Sequence, residues 1–346
     1  MSSIHVPVAK VAAFAEAAFR AAGLGDADAA KAGRLMVESD LAGQDGHGLF
    51  RLASYIASIK AGRIAARTDI RIASEAPATA LVDGGNSLGH LVMSRATEIA
   101  VAKARTQGTA WVGVRMSNHA GAASVWAAAM LPHDMIGLYF AVGPNFMAPT
   151  GGFERLLGTN PLAIAVPAGA EPPVVLDMAT SVAANGKVQM ARQRGEQLPE
   201  GWLIDRQGRP ITDPARAEEG TFVPVGEYKG YGLSLMIGLL GATLNSAAFG
   251  REATATANPS NTGQAVCAIS LAQFGDVAAF KARVDTIVRD IRGSGRLPGV
   301  DAIRLPGERS HALRLERTRI GIPVPRGLQT TLDKLAAELG ITPLRA

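Results

Sequence analysis

The chain has 346 residues, a formal net charge of +5, 47% hydrophobic residues and 19% charged residues. This balance is typical of a globular protein with a large core and excludes a disordered chain or a fibre. Lysines and arginines are scattered and only 5% of residues are aromatic, so we expect no nucleic-acid partner. The start of the chain lacks a signal-peptide pattern, and no apolar run reaches the roughly 18 residues that span a bilayer. These features predict a cytoplasmic protein with no membrane partner.

Three helices are predicted near the start of the chain. Each carries apolar residues at helical spacing and ends at a glycine, in order Gly23, Gly43 and Gly62. Asp26 is expected to cap the second helix, and the third is expected to run from His47 to Gly62. This part of the chain is therefore predicted to be helical.

Strands and helices alternate from residue 79 onward, which predicts an α/β fold. The predicted strands are TALVDGG, AWVGVRMS, MIGLYFAVG, LAIAVPA, PVVLDMA and QAVCAISL. The predicted helices are LVMSRATEIAVAKARTQG, AASVWAAAM, KGYGLSLMIGLLGATLNSAAFG and LQTTLDKLAAELGI. Residues 186–225 are rich in glycine, proline and charge, and they are predicted to form long surface loops. Cys267 is the only cysteine and lies in an apolar strand, so a buried thiol is expected.

The common cofactor and metal signatures are missing. No G-x-G-x-x-G follows a strand, and GSGRLPG at 293–299 has the wrong spacing. The chain also lacks the G-x-x-x-x-G-K-[ST] phosphate loop. The six histidines are dispersed, so we expect no metal site.

Two segments carry candidate catalytic residues. In GHGLFRLASY, His47, Arg51 and Tyr55 would form one stripe of a helix, where a guanidinium could bind a carboxylate with two hydrogen bonds. The alternative is a solvated polar face. In SNHAGA, His119 lies between a strand and a helix, a position at which functional side chains gather. An imidazole there can take or give a proton, although a lone loop histidine is often only structural.

A third group of segments suggests an anion site. LDMATS ends a strand in small hydroxyl residues, and Lys229 stands at the glycine-rich start of the helix in KGYGL. We group the segment LGTNP with these two segments as part of the same candidate site. The alternatives are that Asp177 only caps a turn and that Lys229 is only a surface charge.

In this order, the motifs resemble those of the type-2 malate/L-lactate dehydrogenase family of NAD(P)-dependent oxidoreductases over nearly the whole chain. The matching segments are GHGLFRLASY, SNHAGA, APTGGFERLLGTNPLAIAVP, VVLDMATSVAANGKV, LPEGWLIDRQGRPITDP, YKGYGLSLM and LPGE. The resemblance implies a non-Rossmann α/β fold with a mixed sheet and a helical domain formed by both chain ends. It also implies a homodimer.

The resemblance suggests three domains. A helical, substrate-side domain would comprise residues 1–72 and 310–346, and an α/β cofactor-binding domain would comprise 73–120 and 228–309. A smaller α/β domain, 121–227, would complete the active site.

The resemblance also implies roles for individual residues. His119 matches the catalytic acid/base, with His47 as the alternative proton donor. The residues matched to the substrate are Arg51, Tyr55, Thr159 and Asn160. Those matched to an NAD or NADP cofactor are Gly143, Asp177, Met178, Ala179, Lys229, Gly307 and Glu308.

Two departures from the family pattern concern the substrate. Gly46 stands where the family usually has a serine, and Gly143 with Pro144 replaces a frequent polar pair. The expected reaction interconverts a small 2-hydroxy acid, such as malate, lactate or sulfolactate, and its 2-oxo acid. The alternatives are reduction of a cyclic imine 2-carboxylate, such as a piperideine or pyrroline, and a catalytically silent ligand-binding homologue.

Overall fold

The computed structural model describes residues 3–253 and 261–345. Its helices are α1 Val8–Ala21, α2 Asp26–Leu41, α3 Leu52–Lys60, α4 Gly89–Gln107, α5 Ala123–Ala128, α6 Asn185–Arg194, α7 Tyr228–Gly241, α8 Val277–Gly293, α9 Glu308–Ile320 and α10 Arg326–Leu339. Its strands are β1 Ser3–Val6, β2 Arg71–Ala76, β3 Thr79–Asp83, β4 Thr109–Ser117, β5 Met135–Ala141, β6 Leu162–Val166, β7 Val174–Met178, β8 Leu203–Ile204, β9 Thr221–Phe222, β10 Thr262–Ser270 and β11 Ile322–Pro325.

The two ends of the chain share one apolar core. β1 pairs antiparallel with β11, so that Ser3 lies opposite Pro325. α1 contacts α2, α3 and α10. Buried side chains from both ends, among them Phe19, Leu52 and Leu332, belong to one cluster. Burial of this apolar surface stabilises the pairing of the ends.

A seven-stranded mixed sheet forms the second layer, in the order β2-β3-β4-β10-β5-β6-β7. β3 and β4 are parallel, and the other neighbours are antiparallel. α4 and α5 share a core with the sheet, and Ile237 of α7 packs on Phe140 and Ala265 in a separate cluster. The predicted α/β class with a mixed sheet is confirmed. No helix among residues 3–253 and 261–345 is long and apolar enough to cross a membrane.

The ends of the first three helices agree with the prediction, but the start of the third does not. Gly23, Gly43 and Gly62 all have positive φ, as helix-ending glycines do. The predicted single helix over 47–62 is instead two 3-10 turns, Asp45–His47 and Leu49–Arg51, followed by α3. The backbone bends at Gly48 because the Leu49 N–H donates to the Asp40 carboxyl group at 2.8 Å. The predicted helical stripe of His47, Arg51 and Tyr55 is therefore wrong.

Other predicted elements also need correction. Residues 186–225 are not only loops, since they contain most of α6 and the short β8–β9 pair. The helix that starts at KGYGL ends at Gly241, well before the predicted end at Gly250. Gly25, not Asp26, caps α2. Cys267 lies on β10 and is half-buried.

Candidate active site

His119 lies in the turn between β4 and α5, and both sides of the turn are anchored. The Asn118 side chain donates to the backbone oxygen of Ser87 at 2.9 Å. α4 starts so close to this turn that a Cβ at Gly89 would overlap the backbone oxygen of Asn118. On the other side, the Ala122 N–H donates to the Ser39 hydroxyl at 3.0 Å. These contacts fix the backbone from which the imidazole projects.

Two aromatic side chains flank the His119 ring. The Tyr55 hydroxyl lies 2.5 Å from His119 Nδ1. The His47 ring stacks on the His119 ring with centroids 5.5 Å apart and an angle of 22°. Tyr55 is only 4% exposed, whereas His119 is exposed at the surface of the site. The structure thus brings together the two candidate histidines and the tyrosine of the third helix.

Arg51 provides a positive charge beside these rings. Its Nε donates to the backbone oxygen of Gly46 at 2.9 Å, which holds the guanidinium at the 3-10 turn. Within the described part of the chain, no carboxylate lies within ion-pair distance of Arg51. A half-buried guanidinium without a counter-ion favours an anionic ligand.

The surroundings keep both histidines neutral near physiological pH. Although His119 is exposed to the site, the protein packed around its ring lowers its pKa well below its usual value by desolvation, and the neighbouring His47 and the charge of Arg51 lower it further. For His47, desolvation is again the largest cause of a lowered pKa, followed by Arg51, whereas Asp177 acts in the opposite direction. An anionic substrate would offset the Arg51 charge and raise both pKa values.

His90 is a further member of the cluster that the sequence did not single out. It lies on α4, is 1% exposed, and meets Tyr55 edge-on with ring centroids 5.5 Å apart. Neither ring nitrogen has a hydrogen-bond partner among the described residues. Burial lowers its pKa to about 4. In the sequence, His90 is surrounded by the apolar residues of LGHLVM, so nothing marked it as part of a site.

Asp177 lies near the end of β7 and faces the same cluster. Its carboxylate accepts a hydrogen bond from the Ser124 N–H in the first turn of α5, at 2.9 Å. Its charge also acts on His47. The carboxylate therefore stabilises the start of α5 and lies near the catalytic candidates. The neighbouring Met178 and Ala179 are half-buried at the end of the strand.

Lys229 and the end of β7 come together as the sequence suggested. α7 approaches so closely that a Cβ at Gly230 would overlap the backbone oxygen of Thr180. The Val225 N–H also donates to that oxygen, at 2.9 Å. Lys229 is exposed at the start of α7, and no ion pair of its ammonium is found in residues 3–253 and 261–345. Thr180 Oγ1 is buried without a hydrogen-bond partner in the described structure. An exposed ammonium at a helix start fits the negative charge of a pyrophosphate.

Asn160 lies in the interior of the protein and not at the surface of the site. It is fully buried, its side-chain nitrogen donates to Ser234 O and Oγ at 3.0 Å, and its oxygen accepts from the Gly143 N–H at 3.1 Å. The amide therefore ties the loop after β5 to α7. Thr159 is half-buried, and its backbone oxygen accepts from the Thr180 N–H at 3.0 Å. A side chain at Gly143 would meet open space.

Gly307 and Glu308 lie beside β7. The Pro306 oxygen accepts from the Val175 N–H at 3.0 Å, and Gly307 has a φ of +85°, where a Cβ would overlap Val175. The Glu308 carboxylate accepts from the Leu305 N–H at 3.1 Å and lies 3.4 Å from Arg292. These contacts hold the loop that precedes α9.

A G-x-S-x-G stretch, residues 85–89, joins β3 to α4. This is the arrangement of a hydrolase nucleophile, in which the serine must be exposed. Ser87 is fully buried and its hydroxyl accepts from the Asp69 N–H at 3.3 Å. The buried hydroxyl cannot reach a substrate, so the stretch serves as a turn.

Comparisons with known proteins identify the family of the chain. Residues 6–333 match the model of the malate/L-lactate dehydrogenase family. The L-sulfolactate dehydrogenase of Methanothermobacter thermautotrophicus is 38% identical over 88% of each chain. A Delta(1)-pyrroline-2-carboxylate reductase of Ancylobacter novellus is 33% identical over 96% of this chain and 97% of the other. The solved sulfolactate dehydrogenase of Methanocaldococcus jannaschii is 35% identical, covers 98% of each chain and superposes with a TM-score of 0.89. The chain therefore belongs to the malate/L-lactate dehydrogenase family of oxidoreductases.

Proposed function

We propose that the protein interconverts a small 2-hydroxy acid and its 2-oxo acid with NAD or NADP as the hydride carrier. The observation that carries this proposal is that Arg51, which has no ion-pair partner among the described residues, lies beside the neutral, exposed His119. A carboxylate bound by the guanidinium would bring the neighbouring carbonyl or hydroxyl toward the imidazole. Such fixed orientation is a large part of the catalysis of a two-substrate reaction.

On the substrate side, Arg51 binds the carboxylate and His119 exchanges a proton with the substrate oxygen. His47, stacked on His119, lines the same space and is the alternative proton donor. The missing side chain at Gly46 leaves room, since a Cβ there would meet only Gly186 Cα at 3.9 Å. We propose that this room accepts the second anionic group of a malate- or sulfolactate-like substrate.

On the cofactor side, the nicotinamide nucleotide supplies or accepts the hydride. Lys229 and the start of α7 hold its pyrophosphate, beside the segment formed by Asp177, Met178 and Ala179. We propose that Asn160 acts indirectly, by holding the Gly143 backbone, and that Thr159 lines the substrate space. Gly307 and Glu308 would act indirectly, by supporting β7, the strand that ends at Met178.

The second candidate is reduction of a cyclic imine 2-carboxylate. The similarity to a pyrroline-2-carboxylate reductase favours it. Arg51 would bind the same carboxylate, and His119 would give its proton to nitrogen instead of oxygen.

We also propose three domains. The first comprises residues 1–72 and 310–346, the second comprises 73–120 and 228–309, and the third comprises 121–227.

We further propose that the protein is a homodimer. α7 supports the dimer because it exposes several large apolar side chains, Tyr228, Leu233, Met236 and Leu239. A second copy would cover this face. Light scattering should give twice the chain mass, and Met236→Glu should lower it to the monomer.

Oxidation of NADH and NADPH, measured by absorbance against a panel of 2-oxo acids and cyclic imine 2-carboxylates, tests the proposal. We expect turnover with a 2-oxo acid that carries a second anionic group. Turnover with imines alone would select the second candidate. Absence of turnover and of nucleotide binding would support the silent homologue.

A further inference from the structure

The side chain of Tyr55 is engaged by His119 and does not face open space. Its hydroxyl lies 2.5 Å from His119 Nδ1, and the side chain is 4% exposed. His90 packs edge-on against the phenol ring at 5.5 Å. A hydroxyl that is buried in this way can act on the substrate only through the imidazole.

The hydrogen-bond pattern at Nδ1 identifies the tautomer of His119. A tyrosine hydroxyl can donate or accept, so the Tyr55 contact alone leaves the tautomer open. The backbone N–H of Gly121 also points at Nδ1, at 3.4 Å, and a backbone N–H can only donate. A hydrogen on Nδ1 would face the hydrogen of this N–H. Nδ1 is therefore the acceptor, and neutral His119 carries its hydrogen on Nε2.

The conformation of Gly121 makes this second contact possible. Its φ is +79°, which places a side chain under strain. A Cβ there would also lie 2.9 Å from Ser39 Oγ and 3.0 Å from His90 Nε2. Glycine is thus required where the N–H is turned toward the imidazole.

We infer that Tyr55 is a positioning residue that, with the Gly121 N–H, holds His119 with its hydrogen on Nε2, so that the Tyr55–His119 pair carries the exchanged proton. This inference rests on the proposed function. It replaces the predicted direct contact between Tyr55 and the substrate.

The proton balance of the reduction then involves both side chains. A bound reduced nicotinamide would supply the hydride to the carbonyl carbon, and the carbonyl oxygen takes the proton from Nε2 of His119. As that N–H bond breaks, Nδ1 takes the hydroxyl proton of Tyr55. Burial raises the pKa of the Tyr55 hydroxyl, and the Arg51 charge offsets part of that rise, so the phenolate is short-lived. Once the product leaves, Nε2 of the exposed His119 takes a proton from water and Nδ1 returns its hydrogen to the phenolate oxygen. Imidazolate is never formed, which is the chemical reason for a donor behind the ring.

Nitrogen and carbon NMR of the free protein, with labelled histidine, tests the tautomer without substrate or cofactor. The His119 signals are identified by their loss in His119→Gln. At about pH 8, where the imidazole is neutral, we expect the chemical shifts of a ring that carries its hydrogen on Nε2. An Nδ1–H pattern would overturn the inference, whatever reactions the enzyme catalyses.

Kinetics of Tyr55→Phe test the shared proton. We expect kcat to fall by about 10- to 100-fold with little change in KM, a smaller loss than that of the acid/base group itself. A plot of kcat against the deuterium fraction of the solvent should be curved in the wild type, where two protons move, and linear in the variant. A raised KM with unchanged kcat would instead show that Tyr55 binds substrate, and would contradict the inference.

If Tyr55→Phe does not fold, 3-fluorotyrosine incorporation replaces it. The more acidic phenol should shift the pH profile of kcat, and an unchanged profile would contradict the shared proton. Failure of turnover in the wild type would remove the proposed function but leave the NMR result intact.

Discussion

The Asp40 carboxyl group accepts a hydrogen bond from the Leu49 N–H and thereby fixes the bend that carries His47 and Arg51. A Cβ at Gly48 would overlap this carboxyl group, so the close approach needs glycine. The bend, and not a continuous helix, brings the histidine and the arginine to His119.

Asp40→Asn should make stability less dependent on pH. Asp40 is 3% exposed, and burial raises its pKa to about 8. Between its ordinary pKa of about 4 and 8, the folded protein keeps a proton that the unfolded chain releases, so stability is lost as pH rises. The melting temperature of the variant relative to wild type should therefore rise from about pH 5 to 8.

Asp285→Asn is the matched control. Asp285 accepts the N–H groups of Gly169, Ala170 and Glu171, which lower its pKa. Its contribution is present above the ordinary pKa and is lost at lower pH. The variant should be destabilised at neutral pH and approach wild type in acid. The same pH slope in both variants would argue against the assigned states of the carboxyls.

His90→Phe should make the protein less sensitive to acid, because wild type is expected to lose stability as pH falls. Burial lowers the pKa of His90 to about 4, so between about 6.5 and 4 the unfolded chain binds a proton that the folded protein does not. Wild type should lose stability through this window as pH falls, and the variant should lose less. Urea unfolding at several pH values measures how the free energy of unfolding changes with pH in wild type and in the variant. If the change is the same in both, His90 is protonated in the folded protein within this pH range.

His119→Gln should lower kcat by about two to four orders of magnitude while nucleotide binding persists. The amide keeps a polar side chain but cannot exchange a proton. His47→Gln is the matched comparison, because the two rings stack at 5.5 Å in the same surroundings. Greater loss in His47→Gln would assign proton transfer to His47.

Arg51→Lys should lower kcat/KM by about one to three orders of magnitude, because lysine keeps the charge but loses the forked contact with a carboxylate. Arg63→Lys, at an exposed arginine, is the control and should match wild type. Steady-state kinetics with the best substrate measure both. If the two variants behave alike, Arg51 does not bind the substrate.

Lys229→Ala should weaken NADH or NADPH binding by about 1.5–3 kcal/mol, the scale of a charge-assisted contact. Fluorescence titration measures it, with Lys334→Ala as an exposed control on α10. The melting temperature of the free protein should be nearly unchanged. Equal affinities in wild type and Lys229→Ala would place the pyrophosphate elsewhere.

The sheet was largely predictable because its strands are short apolar runs with turn residues between them, as in MIGLYFAVG and LAIAVPA. α8 was not predicted, although nine of its seventeen residues are apolar. In the structure Val288 is its buried apolar side chain, whereas Ile287 and Ile291 are exposed. Pairing of the chain ends is a long-range contact that no local pattern reveals.

The grouping of His47, Arg51 and Tyr55 was predicted, but for the wrong reason. Helical spacing suggested a stripe, whereas two 3-10 turns produce the cluster. The bond between Asp40 and Leu49 that sets these turns joins residues nine positions apart, beyond any helical pattern. The role of Asn160 was equally hidden, since its partners Gly143 and Ser234 lie on distant segments.

The pairing of β1 with β11 has a consequence for synthesis of the protein. On the ribosome, the sheet strands emerge before β11 and can pair among themselves, but the helical core cannot close until the last strand is released. α1, α2 and α3 can pack on one another earlier, but the apolar surface that meets β11 and α10 stays uncovered until the end of translation. This part of the chain, which carries His47, Arg51 and Tyr55, is thus completed last, and chaperones have their longest opportunity to bind there.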